Sequence, residues 1–175
     1  MYLTAHTAVG ILLSEASDEP EWIFVYGFLS HFVLDFLPHG DEDVAEWIKE
    51  RPRIGMIVGA VDVVFVAGIL TLLFAISSPE RTTHRIAGVL GALLPDIVTN
   101  VLPYLHQHVS WFSFLRRIHR IQQKLKITLL WHGHDWFHRK AHNATGRYLA
   151  FWSGIFLQGI VTALALGAFF RISDP

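Results

Sequence analysis

The chain contains no cysteine among its 175 residues. This absence excludes a disulfide framework, a thiolate nucleophile and a zinc site with cysteine ligands. Charged residues are also scarce, because they make up 17% of the chain, whereas soluble domains are about one quarter charged. The formal net charge of −1 gives no bulk basic character, so we do not expect nucleic acid as a partner.

Three common sequence patterns are missing as well. The chain has no nucleophile-elbow motif and no glycine-rich phosphate loop, which argues against serine hydrolase chemistry and nucleotide binding. The beginning of the sequence lacks a basic region and a small-residue cleavage motif. We therefore expect no signal peptide.

What the chain has in excess is apolar sequence, since 52% of its residues are hydrophobic. A helix that crosses the bilayer core needs roughly 20 residues. The apolar segments predict an all-α, polytopic helical membrane bundle of about four to five transmembrane helices, forming a single integral-membrane domain over 1–175. The expected spans are 2–14, 22–38, 54–77, 86–105 and 148–170.

The distribution of basic residues predicts the orientation of these spans. Residues 106–147 contain eight Lys or Arg residues, whereas residues 15–21 are acidic. By the positive-inside rule, the N-terminus and 106–147 lie in the cytoplasm of a multi-pass plasma or inner membrane protein. Residues 78–85 are then an outer loop, whose Arg81 and Arg85 are the minority against this orientation.

Apolar and basic residues alternate with helical spacing over 109–131. This pattern predicts a basic amphipathic helix in the membrane interface. An ordinary cytoplasmic helix that covers the bundle is the alternative.

An ionisable pair lies within the second apolar segment. His31 and Asp35 are four residues apart and therefore share one helical face. Ionisable groups inside a membrane are costly, so they indicate a functional site. An imidazole beside a carboxylate suits zinc, although a purely structural ion pair is the alternative.

The predicted topology brings further ionisable residues to the same cytoplasmic half of the bilayer. We predict a zinc-like metal site with the ligands His6, His31, Asp35, His39 and Asp96. We predict that Asp62 or Asp96 acts as the general base. Simpler explanations exist for four of these residues. In them, Asp62 and Asp96 are structural carboxylates, and Asp96 also supports the kink at Pro95. His6 is then a core residue and His39 a loop residue.

Two weaker patterns accompany this site. Histidines cluster at positions 132, 134, 138 and 142, three of them at four-residue spacing, which can bind a metal but also fits a pH-sensitive interfacial helix or a solvated face. The sequence Gly27 to Asp35 also resembles Gly88 to Asp96 as a short internal repeat.

Three motifs carry a family resemblance: the segment beginning Ala5-His6, the segment Ser30-His31 followed by Asp35, and Leu94-Pro95-Asp96. With them the chain resembles the predicted prokaryotic membrane-bound metal-dependent hydrolases (YdjM-like). The resemblance implies a helical membrane protein with a metal-dependent hydrolase activity.

The residues and the resemblance together predict a zinc-dependent hydrolase acting on a lipid or other amphiphilic substrate at the cytoplasmic membrane face. Membrane lipid is the expected partner. A metal-ion or proton transport protein, with the pore formed by a homo-oligomer, is one alternative. A non-catalytic membrane scaffold is the other.

Overall fold

The computed structural model describes residues 2–40, 50–101, 136–137, 140 and 149–173. Every regular element among them is helical, which confirms the all-α prediction for this part of the chain. The elements in chain order are α1 (Leu3–Leu13), α2 (Pro20–Asp35), α3 (Pro52–Ile76), α4 (Pro79–Asp96) with a π-helical turn at Ile97–Val101, and α5 (Phe151–Ser173).

Proline opens three of these helices, α2, α3 and α4. It suits the first helical position because the backbone N–H that it lacks would have no partner there. Since α4 begins at Pro79, the prediction that 78–85 form a loop is wrong. The first turns of α4 are polar, so a search for apolar segments does not find them. Their Arg81 lies 3.8 Å from Glu15 and 3.7 Å from Asp18 in the α1–α2 connection.

Helix α4 packs along both α1 and α2. Its residues pair with α2 in ascending order, since Gly88 lies against Gly27 and Ala92 against His31. The two helices are therefore parallel. Helix α1 is antiparallel to both, because its Gly10 also lies against Gly88 while its His6 faces the end of α2.

Helices α3 and α5 run in the same direction as α1. Asp62 of α3 contacts the start of α1, whereas Leu73 packs in the core beside Ile11 near the end of α1. Gln158 and Phe169 of α5 follow the same order. Successive helices therefore alternate in direction.

Glycines let the three inner helices approach closely. A Cβ atom on Gly88 would lie 3.1 Å from the Gly10 carbonyl carbon and 3.3 Å from Cγ2 of Ile23. A Cβ atom on Gly10 would lie 2.6 Å from the carbonyl oxygen of Gly88. The backbones of α1, α2 and α4 thus pack at distances that a side chain would prevent.

Helices α3 and α5 expose long apolar faces. Val64 on α3 is 70% exposed and Trp152 on α5 is 78% exposed. Among the described residues, these are the two helices long and apolar enough to cross a membrane. Helix α1 is apolar but has 11 residues, and α2 has 16, which corresponds to about 24 Å of helix.

Most of the predicted cytoplasmic segment 106–147 lies outside the described residues, as do the predicted helix over 109–131 and the histidines at 132, 134, 138 and 142. Phe137 belongs to the described part. Its ring packs edge-on against Phe32 and Phe36 of α2, with ring centroids 5.2 and 5.0 Å away. This segment therefore contacts α2 on the turn that carries His31 and Asp35.

The close glycine contacts predict an asymmetry between two conservative substitutions. We expect Gly88→Ala to lower the free energy of unfolding by about 1–3 kcal/mol, because overpacking forces the backbones apart. A Cβ atom on Gly59 of α3 meets nothing within 4 Å, so Gly59→Ala should stabilise the helix by about 0.5–1 kcal/mol. Unfolding of both variants in detergent micelles measures the difference, and equal effects would contradict the packing.

Candidate metal centre

Three helices bring four ionisable side chains together in the interior. His6 lies in the second turn of α1, His31 and Asp35 lie in the last turns of α2, and Asp96 ends α4. Their exposed fractions are 0%, 0%, 2% and 8%. We call these residues the His/Asp cluster.

The Asp35 carboxylate lies between the two imidazoles. Its Oδ1 is 3.4 Å from Nε2 of His6, and its Oδ2 is 3.3 Å from Nε2 of His31. The two rings stack with centroids 4.1 Å apart and an interplanar angle of 18°. Each carboxylate oxygen of Asp35 thus faces a ring nitrogen of a different histidine.

The other ring nitrogen of His31 determines its tautomer. Nδ1 lies 2.8 Å from the carbonyl oxygen of Ala92 on α4. Because a carbonyl oxygen only accepts, Nδ1 must carry the proton and donate it. In a neutral His31 the lone pair of Nε2 therefore points at the Asp35 carboxyl group, an arrangement that needs a cation between them or a proton on one of the two groups.

The donor set fits a divalent metal. His6, His31 and Asp96 each offer a ligand atom, and these atoms lie within 4.8 Å of one another. A tetrahedral zinc ion with bonds of about 2.0–2.1 Å separates its ligand atoms by roughly 3.3–3.4 Å. Asp35 lies beside this group, with one oxygen 3.4 Å from Nε2 of His6 and the other 3.3 Å from Nε2 of His31.

His6 supports the same assignment. It is completely buried, its Nε2 contacts Asp35 at 3.4 Å, and its Nδ1 makes no hydrogen bond within the described part of the chain. Buried polar groups in native proteins are nearly always hydrogen-bonded, so the Nδ1 atom of this imidazole is unusual. For His31, the hydrogen bond to a backbone carbonyl is the arrangement that orients metal-binding histidines.

The local backbone beside Asp96 is irregular. Pro95 lies within α4, and the chain continues as a π-helical turn at Ile97–Val101. Proline leaves a helix carbonyl without its N–H partner, and π-helical turns occur often at functional sites. Thr99 reinforces the turn by donating its hydroxyl to the Pro95 carbonyl oxygen at 2.8 Å.

The two remaining predicted site residues form hydrogen bonds with backbone groups. His39 is buried beyond the end of α2, and its Nδ1 faces the Leu37 carbonyl oxygen. Asp62 lies at the start of α1, where its Oδ2 accepts the Leu3 N–H at 2.8 Å and its Oδ1 accepts the Thr4 N–H at 3.2 Å. Both of its oxygens are therefore engaged by α1.

Reasoning from sequence did not predict the contacts of three groups in the bundle. The Ala92 carbonyl has no sequence signal, because any residue supplies one. Gln158 does have a signal, since it is the one amide side chain in the apolar stretch 148–170, and its Oε1 accepts the Tyr2 N–H at 2.6 Å. Arg85 stood out against the positive-inside rule; it is buried beside Glu15 and lies 4.9 Å over the Phe169 ring.

Comparison with known proteins adds no relative. The chain matches no family model, no curated protein and no solved structure at a significant level. The resemblance to membrane-bound metal-dependent hydrolases stays a prediction, and the site is interpreted from its own geometry.

The cluster geometry predicts a metal stoichiometry. We expect elemental analysis of the purified protein to give about one zinc-like metal per chain after zinc addition. His31→Ala and Asp35→Asn should each abolish this binding, because each removes a ligand of the cluster. His84→Ala is the matched control, since His84 contacts Asp18 at the opposite end of the bundle and should leave the metal content unchanged.

No metal in the zinc-treated wild-type protein would contradict the site. Metal retained in both cluster variants would place it elsewhere in the chain.

Proposed function

We propose that this chain is a polytopic membrane protein with a zinc-type site at the His/Asp cluster. We further propose that it hydrolyses a lipid or other amphiphilic substrate at the cytoplasmic face of the plasma or inner membrane. The observation that carries the proposal is the Asp35 carboxylate, which lies 3.4 and 3.3 Å from the ring nitrogens of two buried histidines.

A bound metal accounts for this geometry better than an ion pair. Charge-assisted hydrogen bonds between nitrogen and oxygen are usually about 2.7–2.9 Å long, which is shorter than either distance at Asp35. Protonating both histidines would place two positive charges in rings whose centroids are 4.1 Å apart. A single divalent cation instead compensates the carboxylates while both imidazoles stay neutral.

The exposed surface supports the membrane assignment. The outward faces of α3 and α5 carry large apolar side chains such as Val64, Phe65, Trp152 and Phe156, which are 62–78% exposed. Soluble proteins rarely expose contiguous apolar patches of this kind. A lipid environment removes the cost of that exposure, and hydrophobic helices of 24 and 23 residues have the length that a bilayer core requires.

Each residue of the His/Asp cluster has a separate role in this proposal. His6, His31 and Asp35 would hold a zinc-type metal, and Asp96, whose ligand atom lies within 4.8 Å of those of both histidines, would be a further ligand or the base. When bound, the metal would lower the pKa of a coordinated water and polarise the scissile group. Asp96 would serve as the general base, and the Ala92 carbonyl oxygen orients the His31 ring through its hydrogen bond with Nδ1.

A second function, cation or proton handling, is favoured by a different observation. The four ionisable side chains of the His/Asp cluster are contiguous and buried in the interior. Such chains of Asp and His residues also form proton relays and ion pathways in membranes. Zinc and proton flux into vesicles that contain the protein, or a homo-oligomer of it, separates this function from hydrolysis.

The membrane assignment predicts the effect of one charge. Val64 is near the middle of α3 and 70% exposed, so Val64→Arg would be harmless on a water-facing helix. In a bilayer we expect it to cost about 2.5–3.5 kcal/mol of insertion free energy and to deplete the protein from the membrane fraction. The control is Glu50→Arg, at an exposed position just before α3, which should fractionate as wild type.

The assignment of Asp96 as general base predicts a separation of binding from turnover. We expect Asp96→Asn to keep the metal and to lower the rate of hydrolysis about 10²–10⁴-fold, the usual contribution of a general base. Fluorogenic esters and phosphodiesters in mixed micelles provide the assay, with metal content measured on the same samples. Loss of the metal in Asp96→Asn would make Asp96 a ligand, and unchanged turnover would contradict its role as base.

A further inference from the structure

The two long apolar helices each direct a polar side chain to the start of α1. Asp62 of α3 accepts the Leu3 N–H at 2.8 Å and the Thr4 N–H at 3.2 Å, and it also accepts the Thr4 hydroxyl. Gln158 of α5 accepts the Tyr2 N–H at 2.6 Å. Three successive backbone N–H groups of α1 are thus bound by side chains from other helices.

Helix α1 cannot supply hydrogen-bond acceptors for these N–H groups by itself. The first N–H groups of a helix have no partner within the helix, and the N-cap residue Tyr2 makes no side-chain cap. Each such group left unsatisfied in an apolar interior costs about 1–3 kcal/mol. A carboxylate suits this end because the helix dipole stabilises negative charge there.

The capped turn leads directly into the metal centre. His6 follows Thr4 by two residues, which is less than one helical turn. Its ring is held by stacking on His31 and by the 3.4 Å contact of its Nε2 with Asp35. The position of the His6 imidazole therefore depends on where the first turn of α1 is held.

We infer that Asp62 is a positioning residue for the metal centre: by holding the first turn of α1 it sets the His6 imidazole at ligand distance from Asp35. The inference rests on the proposed metal site. It also assigns Asp62 a role other than general base, because both of its oxygens are engaged by α1. Asp62 acts on the metal through α1.

Cobalt(II) is the probe, because its visible absorption reports both affinity and coordination number. We expect Asp62→Ala to weaken cobalt binding about 10–100-fold, as the loss of an orienting group does at other metal sites, and to reduce the intensity of the four-coordinate spectrum. Asp62→Asn keeps an oxygen acceptor for the two N–H groups, so it should lie between Asp62→Ala and wild type. Thr71→Ala, at an exposed position on the same helix, is the control and should bind as wild type.

A double-mutant comparison tests whether Asp62 acts through His6. In a His6→Ala background, Asp62→Ala or Asp62→Asn should cause no further loss of cobalt affinity, since the ligand that Asp62 positions is already gone. If the Asp62 substitution lowered cobalt affinity in the His6→Ala protein as much as it does when His6 is present, the inference would be overturned. Asp62→Asn keeps this comparison available if Asp62→Ala does not fold.

Nitrogen-15 NMR of the histidine rings in metal-free protein separates this inference from the metal proposal. The His6 ring signals are identified by their absence in His6→Ala. Asp62→Asn should shift them, whereas Thr71→Ala should not. Unchanged His6 signals in Asp62→Asn would overturn the positioning role. If Asp62→Asn shifts the His6 signals but the wild-type protein binds no cobalt, the positioning role stands and only the metal site is rejected.

Discussion

The Asp35 carboxylate is the constraint on which the rest of the structure depends. It is 2% exposed, and a buried charge that lacks compensation costs about 3–5 kcal/mol. Its partners come from two other places in the fold, His6 on α1 and His31 one turn earlier on α2. Helix α1 must therefore lie antiparallel to α2 with its second turn level with the last turns of α2, and α4 must place the Ala92 carbonyl beside His31.

Close backbone packing makes this arrangement accessible. Gly10 and Gly27 both lie against the Gly88 turn of α4, so the three inner helices meet at distances that larger side chains would prevent. The parallel pair α2 and α4 aligns Gly27 with Gly88 and His31 with Ala92, in the register of the short internal repeat. The repeat thus coincides with a packing surface, and it brings Asp35 and Asp96 to the same end of the bundle.

The outer helices contribute more than apolar surface. Asp62 and Gln158 bind the start of α1, and the opposite end is tied by Arg85, which is 6% exposed, donates to Ser77 and lies 4.9 Å over the Phe169 ring. A polar layer therefore closes the bundle at each end, with the apolar core of Ile11, Leu73, Val89, Leu93 and Phe169 between them. Sliding α1 along its axis would break both layers, so its position, and with it the position of His6, is strongly determined.

The sequence by itself determined the helical class, the approximate helices and the identity of the buried ionisable residues, because apolar periodicity and the cost of charge in an apolar segment are local properties. It missed the polar first turns of α4, whose ion pairs with Glu15 and Asp18 are made across the chain. The sequence predicted that His6 lies with His31, Asp35 and Asp96, but only the tertiary structure decided that Asp62 caps α1. The reason is physical: whether a buried carboxylate serves a helix end or a ligand set depends on which backbone N–H groups and imidazoles the packing brings within reach, and spacing along the chain does not contain that information.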